Sequence, residues 1–118
     1  MKDVSVLRTD FLKLRGLIEI FPGDEAGLRT LLGTLRKEIG RLEIEIARAY
    51  QKLEWEPASR FAYELVSVCA NADCPDAIEA AADVHEALAH RSAQLPFKLN
   101  RLHFVTEKLR AALLVAMS

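Results

Sequence analysis

Apolar residues return at three- and four-residue intervals along nearly the whole chain, and that period predicts helices. The first stripe is Leu7, Phe11, Leu14 and Ile18, which predicts a helix over residues 4–20. Phe21-Pro22-Gly23-Asp24 reads as a turn, with Asp24 placed to cap the next helix and Glu25 favourable at its positive end. That second helix, residues 25–53, turns Leu28, Leu31, Leu32, Leu35, Ile39, Leu42 and Ile46 inward. Glu38, Arg41, Glu45 and Arg48 lie outward at ion-pair spacing, and Gly33 and Gly40 predict close packing rather than a break. A central helix opens at Glu56-Pro57 and runs through residues 59–73, and a fourth covers 76–91 with Ala77, Ala81, Val84 and Leu88 facing in. After the connection at 92–96, a fifth helix over 97–116 buries Leu99, Leu102, Val105 or Phe104, Leu109 and Leu113. No segment alternates with period two for long enough to form a strand. The expected fold is all-α: an up-down antiparallel four-helix bundle with an additional N-terminal helix.

The central helix breaks the usual division of faces. Phe61, Leu65, Val68 and Ala72 form a core stripe, yet Tyr63, Val66, Ser67 and Ala70 share a second face with no charge among them. A helix on the outside of a bundle ordinarily carries Lys and Glu there. Either both faces are buried or the second meets a partner.

Composition narrows the classes. The 118 residues carry no low-complexity linker and read as one domain, residues 1–118. Sixteen basic and 17 acidic residues are interspersed to a net charge of -1, so the basic patch of a nucleic-acid binder is missing. Arg8, Asp10, Lys13 and Arg15 interrupt any secretory signal, and the uncharged stretch 111–118 is too short to span a bilayer. Cys69 and Cys74 match no disulfide or zinc spacing, which points to reduced thiols and a cytoplasmic setting.

In helix order and in local residues the chain resembles a histidine-containing phosphotransfer (Hpt) domain, the module of multistep two-component signalling. In that family a long helix ends in an acidic-aromatic corner, here Leu53-Glu54-Trp55. A helix bearing Ala-His-x-Leu-Lys-Gly follows, matched here by Ala62-Tyr63-Glu64-Leu65-Val66-Ser67 and then Val68-Cys69-Ala70-Asn71, before Pro75-Asp76 opens the next helix. The motif-level likeness rests on about fifteen residues. Tyr63 stands where the family has its phospho-accepting His, and Val66 replaces the Lys that balances phosphate charge. A phenol of ordinary pKa near 10 is a poor phosphate acceptor without an activating base. The resemblance therefore implies a docking module without phosphotransfer chemistry. Its partner would be a receiver domain or a histidine kinase, met through Tyr63, Val66, Ser67 and Ala70, with Arg60 and Glu64 tuning orientation. Phe61 and Leu65 belong to the core.

The remaining candidate chemistry is thin. His85 and His90 are five apart and project from different sides of a helix, and His103 lies on another helix. Each reads as a surface or partly buried histidine. Cys69 reads as a small packed residue, while Cys74 lies in the turn after the central helix, where exposure is open and no cation adjoins it to lower its pKa. No catalytic residue, metal set or cofactor motif is expected. Two functions compete: a non-catalytic signalling adaptor or inhibitor, and a helical-bundle subunit or chaperone-like interaction protein unrelated to phosphorelay. An exposed apolar patch on the central helix favours the first; one on the leading helix or the C-terminal Leu113-Leu114-Val115-Ala116-Met117 favours the second. The leading helix also leaves a homodimer open, by exchange onto a neighbour.

Overall fold

The computed structural model describes residues 23–117 and is all-helical across them. The helices are α1 (Glu25–Gln51), α2 (Trp55–Asn71), α3 (Pro75–Ala89) and α4 (Leu95–Met117). The helix expected over residues 4–20 lies outside the described residues. Each helix packs on its neighbours in the chain, and α1 also packs on α4, which closes the ring. The seam between α2 and α3 therefore lies opposite the seam between α1 and α4. Contacts across α1 and α4 join Gly33 to Met117, Gly40 to Arg110 and Glu43 to His103, so numbers rise along one helix as they fall along the other. The pairs Trp55–Arg91 and Tyr63–His85 run the same way across α2 and α3.

α1 follows its sequence closely. Asp24 Oδ1 accepts from Gly27 N at 2.9 Å, the expected cap. Leu28, Leu32, Leu35, Ile39, Leu42 and Ile46 are buried and Leu31 is half-buried. Outward, Glu38 pairs with Arg41 at 2.9 Å and Glu45 with Arg48 at 3.4 Å. The two glycines mark close approach to α4. A Cβ on Gly33 would sit 3.3 Å from Met117 Cε, and one on Gly40 3.3 Å from Arg110 Cζ.

The three connections repeat one backbone device. After α1, Leu53 N donates to Tyr50 O and Glu54 N to Ala49 O. After α2, Asp73 N donates to Ala70 O and Cys74 N to Cys69 O; after α3, Arg91 N donates to Leu88 O and Ser92 N to Ala87 O. Each is the paired closure that needs a left-handed residue just past the helix, a place that usually takes glycine. Here Leu53 (φ 57), Asp73 (φ 55) and Arg91 (φ 48) take it instead. The device also shortens the expected helices: α1 stops at Gln51 rather than 53, α2 at Asn71 rather than 73, and α3 at Ala89 rather than 91. Glu54 and Cys74 serve at once as the last turn residue and the N-cap of the following helix.

The inner stripe of α2 differs from the expected one. Ala58, Ala62, Leu65, Cys69 and Ala72 are buried, while Phe61 and Val68 are only half-buried against the core. Opposite them α3 buries Ala77, Ala80, Ala81, Val84, Ala87 and Leu88. Small side chains on both sides let these two helices approach closely. On α4, Val105 and not Phe104 turns inward, beside Leu102, Leu109 and Leu113. Phe104 is 72% exposed and Phe97 is 71% exposed, and Leu114 and Val115 are also uncovered.

Candidate functional site

The α2–α3 seam opens outward into a groove of about 560 Å³, bordered by Trp55, Ser59, Arg60, Tyr63, His85 and Arg91. Leu88 is the buried residue among those that line it. Its walls carry aromatic and cationic side chains with one acidic neighbour, Glu56: the Arg91 guanidinium lies 5.3 Å over the Trp55 ring, and the Arg60 guanidinium also lies 5.6 Å over Phe61, outside the groove. Tyr50 meets the edge of Trp55 at 5.9 Å and anchors that end of the groove to α1. At mid-groove the Tyr63 and His85 rings tilt against each other with centroids 5.6 Å apart. Tyr63 is 62% exposed, so it belongs to the surface and not to the core.

The six residues singled out by the sequence do not form one patch. Tyr63, Ser67 and Ala70 are exposed along one line of α2, and Arg60 is exposed beside them. Val66 is half-buried and packs against the core instead, because at three residues from Tyr63 it rotates toward the inner stripe. Glu64 turns the other way, toward α1, where its carboxylate lies 3.8 Å from the Arg41 guanidinium. The surface that remains is Tyr63 with Ser67, Ala70 and Arg60, extended by Trp55, His85 and Arg91. Sequence reasoning missed those last three, because their approach depends on how α2 and α3 pair. Cys69 and Cys74 offer no ready nucleophile. Both are free and buried, so the exposure left open for Cys74 by its place in a turn is not found. Burial pushes the Cys69 thiol up to about 12 and raises Cys74 as well, so neither is a ready thiolate.

No protein-family model, curated protein or solved structure matches the chain.

A second polar cluster lies across the molecule on the α1–α4 seam. Glu43 Oε1 is 2.5 Å from His103 Nδ1, and Glu43 Oε2 accepts from Thr106 Oγ1 at 2.6 Å. Thr106 is the one polar side chain buried outright among the described residues. The hydrogen bond and charge of Glu43 raise the pKa of His103 above its ordinary value. On the α3–α4 seam, Asp83 holds Arg101 at 2.8 Å and Lys98 at 3.8 Å, and Arg101 also reaches Glu79 at 3.4 Å. These partly exposed pairs orient the helices and add little stability individually. No helix among the described residues is long and apolar enough to cross a membrane.

Proposed function

We propose that the chain is a non-catalytic, Hpt-like signalling module that docks a receiver domain or a related signalling protein, as adaptor or inhibitor. The carrying observation is Tyr63: an aromatic ring 62% exposed, at the middle of α2, in an open groove walled by Trp55 and Arg91. Tyrosine, tryptophan and arginine are the residues that most often dominate a protein interface. A phosphotransfer face needs an exposed imidazole with a cation beside it. Position 63 offers a phenol, and the neighbouring His85 is half-buried against that ring. The finer architecture belongs to the same reading. The opposed numbering across the α1–α4 and α2–α3 contacts supports an up-down antiparallel bundle; the leading helix expected over residues 4–20 lies outside the described residues. Two buried thiols fit a reducing, cytoplasmic setting.

The test is a titration of the wild-type chain and Tyr63→Asp against the receiver domains of the same genome, with a small-molecule phosphodonor present in parallel. Saturable binding to one receiver, lost in Tyr63→Asp and without label on the chain, supports the reading. Label on a histidine would replace it with phosphotransfer. No binding to any receiver would sink it.

One observation favours the second reading, a bundle subunit. Phe97, Phe104, Ala111 and Val115 recur every seven, seven and four residues along the outer face of α4, and all are exposed. This is a longer apolar line than the one around Tyr63, and it includes part of the C-terminal stretch. If that line carries the function, Phe104→Glu changes sedimentation or partner binding while Tyr63→Asp does not.

A further inference from the structure

The α1–α4 seam brings together three side chains whose chemistry neither reading uses. His103 and Glu107 are four residues apart, so both project from one face of α4. Glu43 reaches them from α1. One potential donor atom from each of the three lies within 4.8 Å of the other two. The arrangement is also supported from behind. Thr106 places its hydroxyl 2.6 Å from Glu43 Oε2, and the Glu43 side chain is only 19% exposed. A buried hydroxyl that fixes a carboxylate is the kind of outer contact that orients metal ligands. Thr106 sits among Leu102, Leu109 and Leu113 on the inner stripe of α4, where an apolar residue would ordinarily pack. In front, the cluster opens into a groove of about 610 Å³ that leaves room for an ion to enter with water.

We propose that Glu43, His103 and Glu107 bind one borderline divalent transition-metal cation, with Zn²⁺ as the representative case. One imidazole nitrogen and two carboxylates suit such an ion, and three protein ligands leave a position for water. Calcium and magnesium favour all-oxygen shells and gain nothing from the imidazole. Binding would tie α1 to α4 at mid-length, on the seam opposite Tyr63. The surroundings limit its strength. Arg110 holds the Glu107 carboxylate at 3.4 Å and must release it, and Lys37 and Arg41 border the same groove. The site is therefore weaker than a closed structural zinc site and exchanges its ion readily.

The test is calorimetric titration of the full chain with ZnCl₂, and separately with CoCl₂, in phosphate-free buffer. One ion per chain is expected, with affinity falling at least about tenfold in each of His103→Ala, Glu43→Gln and Glu107→Gln. His90→Ala, a change at an exposed histidine away from the cluster, leaves binding unaltered. The 67% exposure of the His103 side chain means that its variant should fold, which far-UV circular dichroism checks. Absence of binding at millimolar metal, undiminished binding in His103→Ala, or loss of binding in His90→Ala would overturn the assignment.

Discussion

The turn after α1 permits a sharp test of how the bundle is closed. Leu53 sits at φ 57, and its amide and that of Glu54 each close a hydrogen bond of 2.9 Å back to the helix. An L-residue in this left-handed conformation costs about 1–2 kcal/mol, which glycine avoids. Glycine in turn loses about 0.5–1 kcal/mol through the greater freedom of its unfolded chain. Leu53→Gly alone would mix these effects with loss of the side chain, which is 65% exposed and partly covered. The comparison is therefore Leu53→Gly against Leu53→Ala, both of which remove the side chain. At the middle of each range, glycine should be the more stable by about 0.75 kcal/mol. At about 4 °C per kcal/mol for a domain of this size, Leu53→Gly should melt roughly 2–4 °C above Leu53→Ala. The same substitution inside α1 has the opposite sign: Ala47→Gly, at an exposed helical site, should lose about 1 kcal/mol. Thermal unfolding followed by far-UV circular dichroism reads both pairs. If Leu53→Gly melts at or below Leu53→Ala, the left-handed closure is not the device that ends α1. The consequence reaches the candidate site, since this turn sets where Trp55 and the rest of α2 begin.

Two further outcomes follow from burial and charge. Tyr63→Ala removes a ring that is 62% exposed and should cost at most about 2 kcal/mol, whereas Leu65→Ala, fully buried two residues away, should cost about 2–5 kcal/mol. Equal losses in chemical denaturation would mean that the two side chains are buried alike. The second outcome concerns pH. His103 faces Glu43 from α1 and Glu107 on its own helix, with Lys37, Arg41 and Arg110 bordering the groove, and Glu43 raises its folded pKa. A raised histidine contributes stability that is fully present below its unfolded pKa of about 6.5 and is lost as pH climbs through the folded value. With a chelator present, the melting temperature of wild type minus His103→Gln should be positive in mild acid and shrink toward alkaline pH. A difference that grows with pH would refute the Glu43–His103 pairing.

The sequence made α1 legible because its signals are local and mutually consistent. Asp24 caps it, a leucine and isoleucine stripe recurs without interruption, and Glu38–Arg41 and Glu45–Arg48 fall at ion-pair spacing. α2 was read less well because its inner stripe is made of small residues. Ala58, Ala62 and Cys69 carry little hydropathic weight, so Phe61 and Val68 drew the expected face about one residue round the helix. Helix ends were displaced for a related reason: Leu53, Asp73 and Arg91 occupy left-handed positions that glycine would have advertised. The Glu43–His103 contact spans 60 residues and becomes visible only once α1 and α4 are paired. One signal for it was nevertheless present. Thr106 interrupts the apolar run Leu102, Leu109, Leu113, and a hydroxyl at a core position requires a partner.

The ring of four helices separates the two polar seams. Tyr63 and His85 lie between α2 and α3, and Glu43 and His103 between α1 and α4, so the two groups share no helix. The direct path from one to the other crosses fully buried side chains such as Leu42, Leu65, Val84 and Leu102, and the exposed Glu64–Arg41 pair at 3.8 Å adds only a weak link along the surface. A close-packed layer of that kind transmits a change only when it has a second arrangement to adopt, and the described structure contains one packing. Docking at Tyr63 and cation binding at His103 should therefore be energetically independent. Titrating one ligand in the presence and absence of the other should return the same affinity; a change in either would mean that the helices have a second packing, which both sites select.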